Sequence, residues 1–135
     1  METPKPKISL DIVAQMAHDA VCTFCISEAI SRRTWNEITD ADKELSLRAM
    51  KSLLDSRVFD PPCLDIASLA EIVWDAWMQS AISLGWKYGP VKDEKKKEHP
   101  SIVPDYKTLS TFEKTKDYIY IGIIQSILIG YDIEV

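Results

Sequence analysis

Apolar residues recur at three- and four-residue spacing from Leu10 to about Ile30, with Ile12, Val13, Met16, Ala17, Ala20, Val21, Phe24 and Cys25 on one face. That period predicts an amphipathic helix whose stripe faces a core. Ser9 stands where a side-chain oxygen can accept from the free N–H groups of the first turn, and Asp11 sits near the positive end of the helix. Ser31 to Asn36 breaks the pattern. Thr39-Asp40-Ala41-Asp42 then supplies a cap and two first-turn acids for a second helix running to about Ser56, with Leu45, Ala49, Met50 and Leu53 inward. Asp60-Pro61-Pro62 closes that half. A third helix begins near Asp65 and carries Ile66, Leu69, Ala70, Val73, Trp74, Trp77, Ala81 and Leu84. Trp74 and Trp77 widen its apolar band beyond one stripe, so something besides the core is covered or bound there. Gly85 is placed to close this helix in a left-handed conformation, and Gly89-Pro90 blocks a restart.

Ser110-Thr111-Phe112-Glu113 has the spacing of a capping box and opens a last helix through Tyr118, Ile119, Ile121, Ile123, Ile124, Ile127 and Leu128 to Gly130. So many β-branched residues also suit a strand, but the box, the length, and the polar Gln125 and Ser126 favour a helix. The expected fold is mainly α: two antiparallel helix pairs joined by a long structured loop. Residues 1–8 are read as a flexible arm, 9–130 as one domain, and 131–135 as a tail that is either a short strand or frayed.

At 135 residues, 46% of them hydrophobic, the chain is long enough to bury one core without staples. The net charge of −5 argues against a general nucleic-acid binder, which needs Lys and Arg over phosphates. The charge is unevenly spread. Between Lys87 and Lys116 eight lysines face five acids, so an anionic ligand is drawn to that end. Three cysteines do not make a disulfide framework, and no segment reaches the roughly 20 apolar residues of a membrane span, which together point to the cytoplasm.

Candidate chemistry is sparse. Cys22-x-x-Cys25 lacks a second ligand pair and falls within the apolar face of the first helix, so both thiols read as core. His18 and His99 come with no nucleophile or carboxylate in a known catalytic order, and no phosphate loop, dinucleotide fingerprint or zinc motif occurs. The expectation is a protein that is not an enzyme and carries no cofactor or metal.

Trp77, Gly85-Trp86-x-Tyr88-Gly89-Pro90, a lysine-rich spacer, His99-Pro100-x-Ile102-Val103-Pro104-x-Tyr106-x-x-Leu109, then Glu113-Lys114-x-Lys116-Asp117 together resemble the ryanodine-receptor repeat (RyR) domain. The likeness is dense from about Trp74 to Ile124. It thins upstream, where Ala17-His18-Asp19-Ala20 and Trp35 with Ser46 look like the front of prokaryotic and phage single-domain members. In the receptor's tandem repeats the equivalent of Trp77 helps hold an adenine base between two repeats. The resemblance therefore implies a ligand set of Trp74, Trp77, Tyr88, His99, Ser101, Lys116 and Asp117, with Trp77 either a ligand wall or a core or subunit contact. Two positions depart from the pattern: Ala81 and Ser101 stand where the family often has cations. The implied function is non-enzymatic binding of a small anionic adenine-type nucleotide or nucleotide-derived signal. Such a module acts as a phage sponge for a defence messenger or as a bacterial sensor, and a homodimer is expected to supply the second wall. The alternative is a protein-interaction or oligomerisation module without a small ligand.

Overall fold

The computed structural model describes residues 3–61 and 64–135, so Pro62 of the expected break, and Cys63, lie outside the described residues. Its main elements are four helices: α1 (Leu10–Ser27), α2 (Asp40–Asp55), α3 (Ile66–Ser83) and α4 (Thr111–Gly130). Each begins at a side-chain cap, three of them read as caps from the sequence and the fourth, Asp65, only as a start. Ser9 accepts from Ile12 N–H, Thr39 from Asp42 N–H, Asp65 from Ser68 N–H and Ser110 from Glu113 N–H. The predominantly helical class is as expected, and α4 is a helix despite its isoleucines.

The core forms where the four apolar faces meet. Val13 and Ala17 of α1, Met50 and Leu53 of α2, Leu69, Ala70 and Val73 of α3, and Ile121 and Ile124 of α4 are buried in one cluster. The face of α1 is rotated from the expected one. Ala14 and Cys22 are buried, whereas Ile12 and Met16 are 50% and 44% exposed. Small residues at 14 and 17 let neighbouring helices approach where the larger side chains have no room.

α3 ends in a full Schellman motif. Gly85 adopts φ 92°, its N–H donates to Ile82 O, and Trp86 N–H donates back to Ala81 O. α1 ends by the same hydrogen-bond pattern at Ser27, earlier than Ile30, with Ala29 at φ 57° in the position glycine normally takes. Beyond Gly85, β2 (Lys87–Tyr88) pairs in parallel with β3 (Glu98–His99). Gly89 makes that approach possible, because a Cβ there would lie 2.4 Å from the Glu98 Cβ. Trp86 folds under the loop onto Leu45, Ala81 and Ile102, forming a second buried cluster. Lys97 Nζ donates to Leu84 O at 2.8 Å, tying the lysine-rich spacer to the end of α3.

The arm is not loose at its end. β1 (Lys7–Ser9) pairs in parallel with β4 (Asp132–Glu134), which also resolves the tail as a strand. Ile8 and Ile133, opposite each other in that ladder, pack against the main core. Burial of this pair is what fixes a segment whose prolines and charges read as mobile.

Replacing Gly85 by Ala should lower the unfolding free energy by about 1 kcal/mol, the cost of a Cβ in the left-handed region. Nothing beyond ordinary contact surrounds that position, so the penalty belongs to the backbone alone. A urea titration of G85A with an unchanged midpoint would show that the motif does not hold the end of α3.

Candidate functional site

The bundle axis is not filled. Ala14 and Ala17 of α1, Ala49 of α2 and Val73 of α3 are too small to close the space between the helices, and a chamber of about 170 Å³ remains. Its floor is apolar, with Val21, Met50 and Leu53, and its rim is polar: His18, Ser46, Trp77, His99, Asp117 and Tyr120. A second chamber of about 480 Å³ opens beside it, lined by Ser31, Arg32, Arg33, Asp42, Trp86, Lys92 and Glu94. The two share His18, Arg32, Ser46, Trp77 and His99, which form the throat between them.

Trp77 is half-buried at this throat, with its ring 4.8 Å from that of His99 in an edge-on arrangement. Trp86 lies on another side of the same imidazole at 6.3 Å. His99 Nδ1 accepts the Ser101 N–H at 3.0 Å, so a neutral ring carries its proton on Nε2. Burial, reinforced by the charges of Lys92 and Lys116, pulls this imidazole down to about 4 and keeps it neutral at physiological pH. His99 Nε2–H is therefore a fixed neutral donor.

Asp117 is held by α4 two turns into the helix and makes no hydrogen bond or ion pair among the described residues. Burial raises its carboxyl to about 7; Glu113 adds to the rise and Lys116 opposes it. Tyr120, one turn on, has its hydroxyl shifted upward by burial and by the neighbouring Asp117. A carboxyl with a proton near neutrality offers one donor and one acceptor on the same group. Glu113, Lys116, Asp117 and Tyr120 follow i, i+3, i+4, i+7 spacing, so one polar stripe of an isoleucine-rich helix lines the chamber. That stripe was legible in the sequence, and Tyr120 is the member that motif reading missed.

The remaining expected site residues divide. Trp74 lines the inner chamber but is 7% exposed, and its Nε1–H donates to Ser101 O at 3.0 Å, so it is framework as much as wall. Ser101 is buried, and its Oγ donates to Glu113 Oε2 at 3.4 Å. Lys116 reaches the rim paired to Glu113 at 2.8 Å, so its charge is already matched. Tyr88 is 58% exposed and lines neither chamber; its place in β2 serves the pairing that sets His99. Of the eight lysines counted in the cationic stretch, only Lys92 and Lys116 line the pocket.

The front of the chain supplies what motif reading left out. His18 Nε2 donates to Arg33 O at 2.7 Å, Cys22 Sγ donates to the same oxygen, and Asp19 Oδ1 accepts Trp35 N–H at 2.9 Å. These three side chains place metal-ligand atoms within 4.8 Å of one another, yet each is committed to pinning the 31–35 loop over the pocket. The buried thiols agree with a core role for Cys22 and Cys25. α1, α2 and this loop form one side of the pocket.

The RyR domain model matches residues 65–135, more than half of the chain. The chain belongs to the RyR domain family. None of the described helices is long and apolar enough to cross a membrane.

Opposite shifts at one rim give opposite pH slopes. Asp117 binds its proton more tightly when folded, so its contribution to stability is full below pH 3.8 and is lost as pH rises through about 7. His99 binds its proton less tightly when folded, so its contribution is full above pH 6.5 and is lost as pH falls through about 4. In wild type the slopes oppose each other across the shared window. Asp117→Asn should therefore make the unfolding free energy climb with pH from about 4 to 6.5 more steeply than wild type, and His99→Gln should do the reverse. Parallel profiles in urea for all three proteins contradict this account.

Proposed function

We propose that this chain is a non-enzymatic binding module for a small, planar, anionic ligand of the adenine-nucleotide type. The observation that carries the reading is the half-buried Trp77 at the throat of a pocket in which four polar groups lack protein partners. Among the described residues, Trp77 Nε1, His99 Nε2, the Asp117 carboxyl and the Tyr120 hydroxyl make no hydrogen bond, although all line the pocket. These atoms stay open to the pocket, the sealed and unpartnered side-chain atom among the described residues being Tyr106 Oη, so the set is free to meet a ligand. Sizes fit the division. A cavity of about 150 Å³ accepts one benzene ring. The inner chamber of about 170 Å³ thus takes a single ring system, and the outer one of about 480 Å³ the rest of a nucleotide.

Chemistry supports the same class. An indole face stacks on a purine without demanding one hydrogen-bond pattern, and a protonated Asp117 pairs with a ring nitrogen while accepting from an exocyclic amine. Asp117 near neutrality is also the one group suited to proton transfer. The imidazole beside it is held neutral with Nδ1 already occupied, so no partner base completes an acid–base pair, and capture of ligand is the favoured role. In a cytoplasm such a module works as a sponge for a nucleotide messenger or as its sensor. The competing reading, a protein-interaction or oligomerisation module, draws on the exposed Ile12, Met16 and Ile26 of α1 and Ile129 of α4.

Calorimetry with a panel of linear and cyclic adenine nucleotides decides between them. Binding should be saturable, leave the nucleotide chemically unchanged by mass spectrometry, and weaken by roughly 10- to 100-fold in Trp77→Ala, matching a stacking contribution of about 1–3 kcal/mol. Silence across the panel from folded wild-type protein removes the reading. A Trp77→Ala protein that changes its assembly state while the panel stays silent favours the interaction module.

A further inference from the structure

We infer that the Arg32 guanidinium is the anion clamp of this pocket, taking a phosphate group of the ligand at the junction of the two chambers. The inference rests on the nucleotide-type reading above and names which residue meets the charge. Arg32 is the single arginine that lines both chambers, so a group held by it lies one step from the Trp77 throat. Every other pocket cation except Arg33 is already matched. Lys116 pairs with Glu113 at 2.8 Å, and Lys92 pairs with Asp42 at 3.2 Å and reaches Glu94 at 4.0 Å. Arg32 and its neighbour Arg33 make no ion pair with any described carboxylate; the Arg32 side chain meets the Cys22 thiol, a weak neutral acceptor that leaves its charge unmatched.

Position supports the assignment as much as charge. Arg32 stands in a loop that α1 pins from three side chains, with His18 and Cys22 on the Arg33 carbonyl and Asp19 on the Trp35 N–H. A guanidinium on an anchored loop loses less freedom on meeting a phosphate than a lysine on an exposed run, and its planar fork fits two phosphate oxygens. Its charge is felt inside the pocket, since it lowers the proton affinity of both His18 and His99. Residues 31–35 also lie outside the segment that matches the family model, so this cation is supplied by the front of the chain and not by the matched repeat.

The probes are adenosine, AMP and inorganic pyrophosphate, titrated by calorimetry into wild type, Arg32→Gln and Lys95→Gln; circular dichroism confirms that each variant is folded. Lys95 is an exposed lysine outside both chambers and reports on general charge alone. AMP should bind wild type and Lys95→Gln about tenfold or more tighter than adenosine, and in Arg32→Gln the ratio should collapse to about twofold with adenosine affinity unchanged. An AMP advantage that persists in Arg32→Gln, is missing from wild type, or falls equally in Lys95→Gln overturns the clamp while the base-stacking reading stands. Pyrophosphate binding lost only in Arg32→Gln, with adenosine silent, keeps the clamp and removes the adenine reading. Silence from all three probes overturns both.

Discussion

The buried hydrogen bond from Trp74 Nε1 to Ser101 O is the contact on which the site's geometry depends. Ser101 is used three ways: its carbonyl accepts from α3, its N–H donates to His99 Nδ1, and its hydroxyl donates to Glu113 of α4. One residue thereby fixes the loop to α3, sets the tautomer of the imidazole at the throat, and aligns the polar stripe of α4. An unpaired indole N–H in that place costs about 1–3 kcal/mol, so the loop has little freedom to sit elsewhere. Glu113 explains why the capping box is only half closed. Ser110 accepts the Glu113 N–H, but the Glu113 carboxylate turns to Ser101 and Lys116 instead of back to the cap.

Given that frame, the pocket follows from residue size. A four-helix core packed to ordinary interior density leaves no space for a ligand. Here Ala14 and Ala17 of α1 and Ala49 of α2 line one chamber, while the large side chains Met50, Leu69, Ile121 and Ile124 are fully buried. The chamber is thus bounded by a well-packed floor and rimmed by titratable groups whose shifts arise from the same partial burial. Loss of solvent raises Asp117 to about 7 and lowers His99 to about 4, so the imidazole is neutral throughout the physiological range and the carboxyl keeps a proton where an exposed one is ionised.

Much of the frame was legible from local chemistry. The caps at Ser9, Thr39 and Ser110, the end of α3 at Gly85, the inward face of α2 and most of that of α3 follow from residue type and spacing, although Ile66 is exposed. The misses have physical reasons. α1 stops early because Ala29 takes a left-handed conformation that its identity does not announce. Its face is rotated because small residues carry weak periodic signal yet decide how closely helices pack. The terminal ladder joins residues more than a hundred positions apart, which no local pattern records. At the site, the aromatic and His-Pro motif gave Trp77, His99 and Asp117, but it also drew in Tyr88, whose role is strand pairing, and gave weight to lysines that face solvent. His18, Arg32 and Ser46 reach the pocket only through tertiary contacts of the front half.

That split carries a consequence for reading family membership as function. The segment matching the RyR domain model supplies α3, the loop and α4, hence the indole, the neutral imidazole and the carboxyl that line the inner chamber. Residues 14 to 50, outside the match, supply the alanine wall, His18 and the unpaired arginines. On the proposed role, a planar guest meets mainly the matched half, while the other half sets its size limit and its charge. Stacking is tolerant of base identity, whereas cavity volume and a fixed guanidinium are not. On the proposed binding role, discrimination among related anionic ligands therefore falls to the front half, and substitutions at Ala17, Ala49 or Arg32 are expected to act on selectivity without touching the motif by which the family is known.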